Sequence, residues 1–121
     1  MKMKLVDIKN AEEPLKKIMN KELNIKAAYK VSKVLKIVNS EMTAIEQSRV
    51  KLVHKYQEKQ EDGSIRVASG KEQQFMNEFV EFLQTDIDID FVPISIDDLD
   101  GISLTPADMI GIDKFIAKEE E

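Results

Sequence analysis

The stretch that most constrains this chain is Leu23–Lys59, which reads as one long amphipathic helix. Ala28, Val31, Leu35, Val38, Met42, Ile45, Arg49, Leu52 and Tyr56 follow one another at alternating steps of three and four. That is the spacing of a seam packed along its length against other helices. At about 1.5 Å per residue the helix spans roughly 54 Å. A compact chain of 121 residues has a diameter of only roughly 35 Å. The helix must therefore kink, protrude, or belong to an elongated or oligomeric body. Val38-Asn39-Ser40 is its weakest point, since Asn and Ser are poor helix formers. No Pro or Gly interrupts the run, and a continuous helix is expected.

The flanking segments supply its neighbours. Met1, Met3 and Leu5 alternate with Lys2 and Lys4, which predicts a short strand over Met1–Ile8 with one buried face. Asn10 is placed to cap a helix over Ala11–Asn20, and Pro14, tolerated near a helix start, fixes its register. That helix folds back on the long one, which Asn24 caps, as a helical hairpin. Gly63 closes the long helix, and residues 61–71 read as an exposed, mobile loop containing a short extended piece at Ile65–Ala68. Lys71–Thr85 returns to helical spacing. Its rich apolar face of Phe75, Met76, Phe79, Val80 and Leu83, with Phe82 beside it, makes it the expected main partner of the seam.

Asp86-Ile87-Asp88-Ile89-Asp90-Phe91 alternates strictly and predicts a half-buried strand over 86–92. Its aspartates share the period of Lys2 and Lys4, so the two strands are expected to pair with lysines facing aspartates. Pro93 limits that strand. Thr105-Pro106-Ala107-Asp108 is a strong helix start, docked by Met109, Ile110, Ile112, Phe115 and Ile116. Gly111 weakens this helix, and residues 118–121 are expected to fray. The fold class is thus α+β: a long helical hairpin plus a third helix, a small antiparallel sheet, and a short C-terminal helix, in a single domain over 1–121.

Charge divides the chain. Residues 1–60 hold 14 Lys/Arg against 7 Asp/Glu, and residues 61–121 hold 4 against 16, so +7 and −12 sum to the net −5. Either the halves pack together and neutralise each other, or one half meets a charged partner. Cysteine is absent, which excludes disulfides and thiolate metal sites. No apolar run reaches the ~18 residues of a membrane span and the start lacks a signal-peptide core, so a cytoplasmic protein with no membrane contact is expected.

No chemistry-bearing motif survives inspection. Aligning Gly101 with the glycine of a calcium loop places Asp98 and Asp100 correctly, but leaves Ile96 and Ala107 where two essential ligands belong. His54 is the only histidine and lies off the seam without a matched nucleophile or acid. No metal, no cofactor and no enzymatic activity are expected. The residues suited to partner binding are Lys26, Lys30 and Lys33 on the outer face of the long helix, which they share with Lys51 and Lys55, Arg49 within its seam, and Asp86, Asp88 and Asp90. Arg49 either snorkels outward or pairs with a carboxylate of the acidic half. With only two arginines in the chain, nucleic-acid binding through Lys26, Lys30 and Lys33 is the least favoured reading.

Two blocks add a setting. Leu23-Asn24-Ile25-Lys26-Ala27-Ala28-Tyr29-Lys30-Val31-Ser32-Lys33 opens the long helix; Asp88-Ile89-Asp90-Phe91-Val92-Pro93-Ile94 is followed by Leu104-Thr105-Pro106-Ala107-Asp108. Together they resemble an uncharacterised family of small proteins from phages and prophages of Gram-positive bacteria. The resemblance spans nearly the whole chain and rests on structural motifs. It implies a phage setting within a bacterial host cell and brings no assigned activity and no functional residues. The reading is therefore a small, non-enzymatic accessory protein that acts on a protein partner, such as a host or defence factor. The alternatives are a virion assembly component or chaperone that forms a homo-oligomer through the long helix, and a nucleic-acid binder.

Overall fold

The computed structural model describes residues 1–59 and 65–118. In chain order the elements are β1 (Lys2–Lys4), α1 (Leu5–Met19), α2 (Ile25–Lys55), β2 (Gln57–Lys59), β3 (Ile65–Val67), α3 (Glu72–Leu83), β4 (Asp86–Asp88) and α4 (Pro106–Gly111). Short 3-10 turns lie at Ile96–Leu99 and Asp113–Phe115. The architecture is α+β, organised on the α1–α2 hairpin. Residue 60, residues 61–64 of the expected mobile loop with the Gly63 expected to close the long helix, and residues 119–121 of the expected frayed tail lie outside the described residues.

α2 runs unbroken for 31 residues, about 46 Å, straight through Val38-Asn39-Ser40. The Asn24 side chain accepts the Ala27 N–H at 2.9 Å and fixes the start. The fully packed stripe is Ala27, Val31, Val34, Val38 and Ile45, while Ala28 is exposed. The seam thus begins one residue earlier than the heptad reading places it, and Leu35, Met42 and Leu52 form its half-buried flank. A helix of 3.6 residues per turn drifts against a strict seven-residue repeat, and the broad surface of α1 rewards the wider stripe. α2 stops at Lys55 rather than Lys59 because β2 turns away to pair antiparallel with β3, Gln57 opposite Val67. The cross-strand bonds of this ribbon replace the helical ones, and Ala68 N–H donates to the Tyr56 carbonyl at 2.6 Å where it leaves the helix.

α1 begins at Leu5, not Ala11, and Asn10 lies inside it rather than capping it. Leu5, Ile8, Ala11, Leu15 and Ile18 are all buried at helical spacing; this stripe outweighs the local start signal at Asn10. The Asp7 carboxylate accepts the Lys4 N–H at 2.9 Å and marks the true start. Pro14 consequently sits in the helix interior. It has no N–H to offer the Asn10 carbonyl, and α4 uses that defect. A Cβ added to Gly111 would lie 2.7 Å from the Asn10 carbonyl oxygen and 2.9 Å from Pro14 Cγ, so only glycine lets the two backbones approach this closely.

β1 and β4 pair antiparallel with Lys2 opposite Asp88, Met3 opposite Ile87 and Lys4 opposite Asp86, the lysine-to-aspartate register the alternation predicts. Regular pairing ends at Asp88, with one further bond from Ile89 N–H to the Met1 carbonyl at 3.0 Å. Ile94 forms a parallel bridge with Ile116 instead of resuming the strand. Ile8, Leu15, Ile18, Val34, Val38, Ile94, Ile112 and Phe115 belong to one continuous core. The main partner of α2 is α1, and α3 covers a smaller stretch of it. The expectation that α3 is the chief partner is corrected: Phe79 and Leu83 are buried, but Met76 and Val80 face outward at 48% and 50% exposure.

Candidate functional site

Asp98 and Asp108, two of the aspartates singled out in the sequence, are used within the fold. Ser95 caps the turn at Ile96–Leu99: its hydroxyl accepts the Asp98 N–H at 3.2 Å while Asp98 accepts the Ser95 N–H at 2.9 Å. Thr105 and Asp108 repeat the arrangement at the start of α4, both bonds at 3.1 Å. Each cap aspartate also receives a lysine from the helical hairpin. Lys30 of α2 donates to Asp98 at 3.0 Å, and Lys17 of α1 donates to Asp108 at 3.0 and 2.9 Å. The Ser95 N–H holds the Asp98 carboxyl below its ordinary pKa, with Lys30 assisting; for Asp108 the Lys17 ammonium is the larger cause and the Thr105 N–H the next. A third link between the halves joins Lys55 of α2 to Glu78 of α3 at 2.7 Å. Glu78 also accepts the Tyr56 hydroxyl, and the two donors lower its pKa.

Arg49 turns outward and does not pair with the acidic half. Its guanidinium pairs with Glu46 one turn back on α2, Nε to Oε2 at 3.0 Å, and both side chains stay largely in solvent. The nearer carboxylate wins because the i,i+3 geometry needs no partner from another element. Asp88 accepts the Met1 amino group at 2.7 Å. Lys26, Asp86 and Asp90 are exposed. His54 is exposed and its Nδ1 meets Gln57 Oε1 at 2.9 Å. Among the described residues no three His, Cys, Asp or Glu side chains converge as a metal-binding group, and no helix is long and apolar enough to cross a membrane.

Lys30 and Lys33 of α2 and Asp90, far along the chain, meet around one groove of about 530 Å³ between α2 and the extended segment after β4. Tyr29, Lys33, Lys36 and Ile37 reach it because steps of three and four keep them on one side of α2. The opposite wall is Asp90, Phe91 and Val92. Phe91 is anchored from behind by the fully buried Phe115, ring centroids 4.9 Å apart, while Val92 and Tyr29 stand 62% and 63% exposed. Lys33 Nζ lies 5.2 Å from the Tyr29 ring centroid, a cation–π contact. Lys30 is spent on Asp98, whereas no carboxylate among the described residues pairs with Lys33 or Lys36. The result is an apolar trough with a free ammonium rim. A second hollow of about 580 Å³ lies between α1 and the C-terminal segment. Part of its polar lining is paired from within, Lys118 with Asp113 at 2.7 Å and Asp7 with the α1 start.

Sequence reading missed Lys36, Phe91 and Val92 as groove residues. Lys36 continues the spacing of Lys33 and was legible on that ground. Phe91 and Val92 were not, since that segment is placed by tertiary contacts, among them the Lys30–Asp98 pair and the Ile94–Ile116 bridge. Lys26, Arg49, Asp86 and Asp88 are not brought into the groove.

Comparison with protein-family models, with curated proteins and with solved structures finds no match to this chain. The resemblance carried by Leu23–Lys33 and by the blocks between Asp88 and Asp108 therefore rests on those residues alone.

Proposed function

We propose that this chain is a small, non-enzymatic binding protein, of phage accessory type, that acts by contact with a protein partner through the α2 groove. The observation that supports this reading is the division of labour among charges. Asp98, Asp108, Lys17 and Lys30 are engaged in holding the C-terminal segment to the hairpin, while Lys33 and Lys36 stand over apolar Ile37, Phe91 and Val92. An apolar floor with a few oriented polar groups is the usual anatomy of a recognition site.

The test is site-specific cross-linking. A photoreactive residue at Val92 should capture one defined protein in host cells, and the same residue at exposed Lys51 should not. Equal capture at both positions, or none at Val92, refutes the reading. The assembly alternative draws its support from α3 rather than α2, because Met76 and Val80 expose adjacent apolar side chains one turn apart. Light scattering that gives a stable oligomer dissolved by Met76→Glu would favour it.

A further inference from the structure

We infer that the occupant of the α2 groove is an acidic, extended peptide segment carrying a bulky apolar side chain. This rests on the protein-binding reading above and gives the partner its chemistry. A volume of about 530 Å³ falls within the ~300–1,000 Å³ of sites that enclose small ligands. The groove's eight lining residues are far fewer than the roughly 20–30 residues a side of a standard protein interface. A few side chains of a linear segment match it. Phe91 is backed by the buried Phe115 ring, tilted 50° to it, so an apolar anchor meets a preformed slot beside Ile37.

Charge complementarity decides the flanks of that anchor. Lys33 and Lys36 are exposed on one edge without carboxylate partners among the described residues, so each can take a carboxylate of the incoming segment. Asp90, on the facing wall, suits a backbone N–H of an extended chain. Nucleic acid fits less well. Lys33 already lies over one face of Tyr29, leaving a single face for a base, and Asp90 would face a phosphate.

The experiment pans a random peptide display library against the full chain, then titrates the enriched peptide by fluorescence anisotropy. Enriched peptides should carry Asp or Glu within a few positions of Leu, Ile, Phe or Met. Lys33→Glu/Lys36→Glu should weaken the peptide about tenfold or more, and Val92→Glu should also weaken it. Lys51→Glu, about 27 Å away along α2, should leave binding unchanged. Rising salt should weaken the complex. The altered side chains are exposed, and circular dichroism of each variant verifies the fold. Basic or neutral enriched peptides, no enrichment, or binding indifferent to the double reversal overturns the inference. So does displacement of the peptide by a single-stranded thymidine oligonucleotide at physiological salt. If Val92 cross-links a partner in cells while panning gives no acidic peptide, the binding function stands and the peptide chemistry falls. If Val92 captures nothing, the binding function itself falls.

Discussion

Replacing Gly111 by alanine tests the packing logic of this fold, because local and tertiary arguments give opposite signs. Helix propensity says that Gly111→Ala stabilises α4, by up to ~1 kcal/mol for an interior position and less at the last helical residue. Packing says the reverse. The new methyl would sit 2.7 Å from the Asn10 carbonyl oxygen and 2.9 Å from Pro14 Cγ, against ordinary carbon contacts of about 3.5 Å or more. One neighbour is backbone in the middle of α1, so α4 must retreat by about half an ångström or more, loosening Ile112 and Phe115, both fully buried. Overpacking of this kind costs about 1–3 kcal/mol, leaving a net loss of about 1–2 kcal/mol after the propensity gain. With an unfolding entropy of about 2.1 cal/mol/K per residue, that lowers Tm by about 4–8 °C. Urea and thermal unfolding followed by circular dichroism read it directly, as a lower midpoint at unchanged m. A Pro14→Ala/Gly111→Ala cycle sharpens the attribution. Removing the proline ring relieves one of the two contacts, so the pair should lose less than the sum of the singles. A Gly111→Ala protein as stable as the parent would refute the reasoning.

The remaining expectations follow from caps, core and charge. Thr105→Ala removes the hydroxyl that accepts the Asp108 N–H and should cost about 1 kcal/mol in urea unfolding; no change would mean the α4 cap is idle. Leu15→Ala, at a site with 0% exposure, should cost about 2–5 kcal/mol, and a smaller loss would contradict its place in the core. Asp98 and Asp108 have folded-state pKa values below their unfolded ones, so their contribution is present above the unfolded pKa of about 3.9. It is lost as pH falls through the lowered values. The chain should therefore lose stability as pH falls below about 4, and Asp98→Asn/Asp108→Asn should flatten that dependence. An acid transition identical in the double variant would show that other carboxylates govern it.

Local signals were readable wherever one short segment settles its own geometry. Asn24, Thr105 and the Lys2/Lys4 match to Asp86/Asp88 each rest on chemistry within a few residues or on a strict period. The start of α1 was obscured because Asn10 and Pro14 give a strong local start signal that a longer buried stripe overrides. β2 was hidden since Gln57-Glu58-Lys59 are good helix formers with no alternation, and only pairing with β3 makes them a strand. The groove was half legible. Periodicity exposes Lys30 and Lys33, yet the withdrawal of Lys30 by Asp98 and the supply of the far wall by Asp90–Val92 are tertiary facts. Arg49 illustrates the same limit, its partner being the neighbour one turn away rather than the distant acidic half.

The seating of Gly111 against Asn10 and of Asp108 on Lys17 also bears on synthesis. A nascent chain whose first hundred residues have left the ribosome still shows water the face of α1 that α4 is made to cover. The hairpin can form early from neighbouring residues, but the core closes only through contacts between distant parts of the chain, which slow folding. Until α4 emerges, that face of α1 stays open, and in that interval a chaperone or a wrong neighbour has its opportunity.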